Sequence, residues 1–239
     1  MLQKYDRFQK RYHLDVKTIV LFTLCSLIIS GNAIGDSRLG NMKIKNFSQA
    51  KRSYLPVIWR ENAKTFYCGC TMTGKSINAD SCGYKPKKAN RRAKFREWEH
   101  IVPASRFGAL IDQCTGVRNR RACLRRKSKI FNRMEADLHN IVPAIGELNA
   151  ARRDFSFGII AGESRTYGRC DFEKREKIIE PREAIRGNIA RAYFHMSEAY
   201  PDYVRLSDDE KVMFDEWNKL DPVDSQEKKR SLKIDEMQR

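Results

Sequence analysis

Histidine is scarce in this chain, long apolar runs are nearly absent, and no C-x-x-C pair occurs. Four histidines in 239 residues leave few imidazoles for chemistry. A single long apolar run and a mean hydropathy of −0.64 exclude a polytopic membrane protein. Without C-x-x-C, and with Cys68-Gly69-Cys70 at the wrong spacing for a zinc knuckle, the cysteines read as disulfides. Acid is also short: 30 Asp and Glu face 47 Lys and Arg, a net charge of +17. A surplus of that size implies an anionic partner, either nucleic acid or an acidic membrane surface. Hydrophobic residues at 41% and aromatics at 10% can build a core, which excludes disorder throughout.

The apolar run sits at the start. Residues 1–17 carry Lys4, Arg7, Lys10, Arg11 and Lys17; Thr18–Ser30 is apolar and uncharged; small residues flank Asn32. This is the layout of a secretory signal peptide over 1–33, with an uncleaved signal anchor as the alternative. Its removal takes five positive and two negative charges, so the surplus falls only to 14. No stable membrane insertion is expected after cleavage, and the product would be periplasmic or secreted. Six cysteines remain, an even number suited to an oxidising compartment. Cys114 and Cys123 could close a local bridge around a basic loop.

Along the remaining chain, Asn46–Asn62 has helical periodicity that Pro56 should break or kink. Lys85–Arg96 holds Lys85, Lys87, Lys88, Arg91 and Arg92 without one acid, a candidate phosphate-contacting strip. Glu97–Val102 predicts a strand that Pro103 ends. Arg118, Arg120 and Arg121 open a second basic stretch reaching Lys129. Glu135–Pro143 reads as a second strand or a loop entering a helix, and Ile145–Ala151 as helical. Pro181 is placed at a helix N-terminus, ahead of an apolar stripe through Ile185, Ile189, Ala192, Tyr193 and Met196. Ser207 and Glu210 have capping-box spacing. Residues 224–239 are polar and are expected to fray as a flexible tail.

Among the histidines, His195 reads as packed and His139 is ambiguous. His100 differs, because Glu99 precedes it and basic strips flank it in sequence. Phosphodiester hydrolysis needs a base near neutral pH, oxygen donors for a hard cation such as Mg²⁺, and a cation to steady the phosphate. Glu99, His100, Asn140 and the intervening arginines can supply all three.

The blocks Phe66–Cys70, Glu97–Ala104, Met134–Glu147 and Arg186–Phe194 resemble the bacterial endonuclease I family over roughly residues 46–223. The resemblance implies an α+β fold: a mixed α/β single domain, 34–223, built around a ββα-metal motif of the His-Asn-His type and stabilised by disulfides. It implies His100 as general base, Glu99 and Asn140 as ligands of one Mg²⁺ (Mn²⁺ or Ca²⁺ could stand in), and Arg120 as phosphate holder, with Arg118 or Arg121 as substitutes. It implies a monomer cleaving DNA, and RNA as well, with little sequence preference and 5′-phosphate ends. Arg152 matches a family arginine expected to contact the substrate. The pairing suggested is Cys70–Cys82 and Cys114–Cys123, with Cys68 and Cys170 paired together or free. Asp221–Arg239 looks unlike the family ending. Two rival readings share the charge: an exported non-catalytic DNA-binding protein, and a cationic binder of envelope lipids. The basic runs lack the clean apolar face that the latter needs.

Overall fold

The computed structural model describes residues 40–239 apart from Ala89 and Glu163; the expected signal peptide lies outside the described residues. The chain opens with α1 (Phe47–Gln49), capped by the Asn46 side chain, then a π-helical turn (Ala50–Tyr54) and α2 (Leu55–Ile58). The expected kink is this π turn. Pro56 has no N–H to continue the ladder, and the Leu55 N–H reaches back five residues to the Ala50 carbonyl. A short hairpin follows, β1 (Met72–Thr73) and β2 (Ser76–Ile77), turning at Gly74 with φ +59°.

The central unit is β3 (Arg96–His100) paired antiparallel with β4 (Ile141–Ile145), followed at once by α6 (Gly146–Arg152). In register, Glu99 faces Val142 and His100 faces Ile141. The connection between the strands holds α3 (Ala104–Ala109), α4 (Arg120–Lys127) and α5 (Lys129–Glu135). The strand ends at His100, two residues short of the expected Val102, and Pro103 stands at the N-cap of α3. A three-stranded sheet comes next, β5 (Ser156–Phe157), β6 (Phe172–Arg175) and β7 (Ile178–Pro181), in the order β5-β7-β6. Pro181 therefore closes a strand rather than opening a helix. It sits opposite Phe172, and a short 3-10 turn (Glu183–Ile185) intervenes before α7 (Arg186–Ala199).

On α7 the predicted stripe is buried: Ile185, Ile189, Ala192, Tyr193 and Met196 are all at or below 5% exposure. Tyr193 packs on Phe214 of α8 (Asp208–Leu220), ring centroids 4.5 Å apart, and α8 starts in the predicted Ser207–Glu210 capping box. Residues 224–239 are not a fraying tail. They form α9 (Ser225–Gln238), capped by Asp224. Its Ile234 and Gln238 are buried. The Gln238 amide oxygen accepts from Leu138 N–H (3.0 Å), and its main-chain carbonyl accepts from Met42 N–H (2.8 Å). Polar composition misled here because the helix docks through two apolar residues, Ile234 and Met237, the Gln238 amide and polar pairs such as Arg191–Glu227 rather than through a stripe.

Three disulfides join Cys68 to Cys170, Cys70 to Cys82 and Cys114 to Cys123. The first spans 102 residues, so the chain-entropy argument assigns it the largest effect, about 4.7 kcal/mol for a loop of roughly that length. Gly69, between two cysteines bridged to different places, adopts φ +70°, a conformation open to glycine at little cost. The result is a mixed α+β fold with small sheets, held by three disulfides.

Candidate active site

The end of β3, the second half of α6 with the two residues after it, and α3 to α5 line a cavity of about 690 Å³. Glu99 and His100 both line it, and both are under 10% exposed. The His100 ring packs on Phe47, centroids 4.6 Å apart, and its Nε2 lies 2.9 Å from the main-chain carbonyl of Glu135. A carbonyl can only accept, so Nε2 carries the hydrogen and Nδ1 keeps its lone pair. Burial, with the charge of Arg121, pushes this imidazole down to about 4, so at neutral pH it is the uncharged, proton-accepting form.

Glu99 is the buried carboxylate of the site. Burial pushes it up to about 7, against the opposing charge of Arg152, whose Nε is 3.4 Å away. Tyr67 donates its hydroxyl to the same carboxylate oxygen at 3.2 Å. Arg120, Arg121 and Arg125 of α4 line the cavity. The Arg120 guanidinium donates to the Ile111 carbonyl at 2.5 Å, while its buried Nε has no hydrogen-bond partner. Arg121 and Arg125 are held from behind by Glu135, whose side chain is fully buried, at 2.6 and 2.7 Å.

Two expected site residues are elsewhere. Asn140 does not line the cavity. It is fully buried, its amide oxygen accepts from Val102 N–H (2.7 Å), and its NH₂ donates to the Val102 carbonyl (3.0 Å). Both ends of the amide are spent on fixing the backbone after β3. Nor is Arg152 a surface contact for substrate. It is 0% exposed, donates to the Ile101 and Arg153 carbonyls, and lies over the Phe157 ring. Its role is to place a positive charge behind Glu99.

Asn149, which the sequence reading passed over, does line the cavity. It donates to Glu97 at 2.9 Å, and its amide oxygen accepts no hydrogen bond among the described residues. Helical phase could have found it. On α6, Leu148 and Arg152 are four apart and buried, whereas Asn149 and Arg153 are four apart and face the cavity. The other predicted contacts lie outside the cavity. Lys85, Lys87, Lys88, Arg91 and Arg118 are exposed, and so is Arg92, which pairs with Glu97 at 2.6 Å. The backbone N–H groups of Lys87 and Lys88 donate to Glu147 of α6, which ties this strip to the helix that carries Asn149.

Among the described residues no group of three or more His, Cys, Asp and Glu could cage a metal ion. Of the oxygen donors at the cavity wall, the buried Glu99 carboxylate and the unused Asn149 carbonyl suit a hard cation that keeps most of its water or takes oxygens from a phosphate, while the exposed Asp154 carboxylate accepts from the Ser105 hydroxyl. A separate cavity of about 300 Å³ lies against His139 and His195. His195 is packed as expected, its Nε2 3.0 Å from buried Asp137, and His139 lies 3.2 Å from Asp235.

A family model described as Endonuclease I matches residues 41–239, including the ending that looked unlike the family. An "Extracellular deoxyribonuclease" of Aeromonas hydrophila is 39% identical over 227 residues, covering 91% of this chain and 93% of that one. A "Periplasmic deoxyribonuclease" of the same species is 39% identical over 198 residues, 80% of this chain and 81% of that one. An "Endonuclease-1" of Buchnera aphidicola subsp. Acyrthosiphon pisum is 41% identical over 187 residues, 75% of this chain and 72% of that one.

Proposed function

Because the chain belongs to the endonuclease I family of phosphodiester hydrolases, we propose that it is an exported, sequence-non-specific endonuclease that needs Mg²⁺. Its substrate would be DNA, and RNA as well, since the cations available to it recognise phosphate rather than base edges. Relatives named extracellular and periplasmic support export.

The observation that carries the reading is one cavity that brings together a neutral imidazole, the oxygen donors of Glu99 and Asn149, and the arginines Arg120, Arg121, Arg125 and Arg153. His100 Nδ1 accepts a proton from a water while Nε2 stays on the Glu135 carbonyl, which fixes the ring and favours the imidazolium that forms. The water's oxygen attacks phosphorus in line with the 3′ oxygen, the P–O3′ bond breaks, and the 3′ oxygen takes a proton from a solvent water to leave a 3′-hydroxyl and a 5′-phosphate end. Arg120, whose Nε is buried and whose Nη2 is spent on the Ile111 carbonyl, offers Nη1 to a phosphate oxygen, and the outer N–H groups of Arg121 offer a second contact. Glu99 and Asn149 would hold a single Mg²⁺, with Arg152 and Tyr67 orienting the carboxylate. When bound, that ion supplies charge stabilisation at the phosphate and leaving oxygen.

The test is supercoiled plasmid incubated with Mg²⁺ or with excess EDTA, followed by analysis of the ends. Nicking that requires Mg²⁺ and yields nicks that ligase reseals without a kinase supports the reading. Nicking that persists in EDTA, or 3′-phosphate ends, would contradict it.

A further inference from the structure

We propose that the substrate strand continues past the catalytic cavity into a second basic groove, built from Lys51, Arg52, Lys75 and Arg96, which binds the backbone phosphates flanking the scissile one. The groove has a volume of about 680 Å³. Phe47 and Trp98 line both it and the catalytic cavity, so one aromatic wall separates the two. This proposal rests on the nuclease reading and extends it to a subsite.

Three independent elements bring the four cations together. Lys51 and Arg52 stand on the π turn, Lys75 on the tip of the β1–β2 hairpin, and Arg96 at the start of β3. The hairpin is fixed against β3 by Arg96 N–H donating to the Lys75 carbonyl at 2.8 Å. None of the four lines the catalytic cavity, and among the described residues the only ring contacts they make are Arg96 on Trp98 and Lys51 on Phe47. Among the described residues none of the four has a carboxylate within ion-pair distance. The one acid in the groove lining, Glu97, is committed to Arg92 and Asn149.

Arg96 makes the case most sharply. Its guanidinium lies 3.9 Å over the Trp98 ring and is half-buried, enough that desolvation weighs against its charge. A half-buried cation without a counter-ion is costly unless an anion arrives from outside. Lys51, itself exposed, shares the ring stacking, its ammonium 4.8 Å over Phe47, the ring that also touches His100. Cations stacked on aromatic faces and open to a groove form a track suited to a phosphodiester strand whose bases add stacking area.

The experiment measures binding of fluorescein-labelled oligothymidylates of two to ten nucleotides by anisotropy, in EDTA. The parent is the full chain carrying His100→Ala, so that nothing is cleaved. Into it go Arg96→Gln, Lys75→Gln, and both. For the ten-mer, the double variant is expected to bind about ten-fold more weakly, and its salt slope should fall by about 1.4, two single-strand contacts at about 0.7 each. The dinucleotide, too short to reach the groove, should change by less than about two-fold. An equal loss on dinucleotide and ten-mer, or an unaltered salt slope, overturns the groove. Lys75→Gln alone, at an exposed position, repeats the test if Arg96→Gln disturbs β3, and should lower the slope by about 0.7. A parent that binds no oligonucleotide would sink the nuclease reading and the groove together. A parent that binds but does not respond to the variants sinks the groove alone.

Discussion

Replacing either of two asparagines by alanine should separate stability from catalysis. Asn140→Ala removes an amide whose two ends both bond Val102 in a fully buried position. The Val102 N–H and carbonyl would then be left dry and unpaired, at about 1–3 kcal/mol each, so a total of about 3–5 kcal/mol is expected. For a domain of this size each kcal/mol moves Tm by about 2–4 °C, so Asn140→Ala should melt about 6–20 °C lower. Asn149 is half-buried and makes one bond, to the already paired Glu97. Asn149→Ala should therefore shift Tm by only about 2–4 °C, the effect of losing one ordinary hydrogen bond of about 1 kcal/mol. Its activity should nevertheless fall about 100-fold or more, with a higher Mg²⁺ concentration at half-maximal rate, because an oxygen donor to the ion is gone. Thermal melts and Mg²⁺ titrations of plasmid nicking on the two purified variants decide it. The reasoning fails if Asn149→Ala melts as low as Asn140→Ala, or if it keeps the parent's Mg²⁺ dependence.

Three further outcomes follow from the structure. Burial alone would raise the Asp137 carboxyl, but His195, His139 and Tyr200 hold it well below its ordinary 3.8. Its stabilisation is thus complete above about pH 4 and is lost as pH falls through the depressed value. Asp137→Asn should be less stable than the parent at pH 7 and should lose less on acidification below pH 4, as read from urea melts at each pH. In Gly146→Ala, the new methyl would stand 2.7 Å from a Glu97 carboxylate oxygen and 2.8 Å from the Arg92 carbonyl. Although alanine is the better helix former, this crowding should cost about 1–3 kcal/mol and displace the acid that holds Asn149; a raised Tm would refute it. Truncation after Val223 removes buried Ile234, the Gln238 bonds and the Arg191–Glu227 pair at 2.6 Å. It should lower Tm by roughly 10 °C, from about 3–5 kcal/mol of lost burial and hydrogen bonding, whereas a truly loose ending would leave Tm unmoved.

Local signals carried much of this fold. The β-forming run before Pro103, the Ser207–Glu210 box and the α7 stripe each specify an element through neighbours a few residues away. His100 and Glu99 were legible for the same reason, since they adjoin one another. What sequence concealed depends on contacts distant along the chain. Asn140 looked like a ligand because its neighbours are typical of a site, but Val102, thirty-eight residues away, claims its amide. Arg152 looked like a substrate contact because arginine is usually exposed. Its burial needs Glu99, Ile101 and Phe157 to converge on it from two other strands and a loop. The docking of α9 rests on Gln238 meeting Leu138 and Met42, a pairing no local pattern announces. Cys68–Cys170 is a similar case, open in the sequence and closed in the structure across 102 residues.

The central claim is that His100, held through Nε2 by the Glu135 carbonyl, is the base of a phosphodiester-cleaving site. Its most direct test pairs two assays on His100→Ala: plasmid nicking with Mg²⁺, and DNA binding by gel shift in EDTA. The account predicts that nicking is lost by at least about 100-fold, the usual scale of general-base removal, while binding stays within about two-fold because the arginines and the flanking groove are untouched. Undiminished nicking by His100→Ala would contradict it.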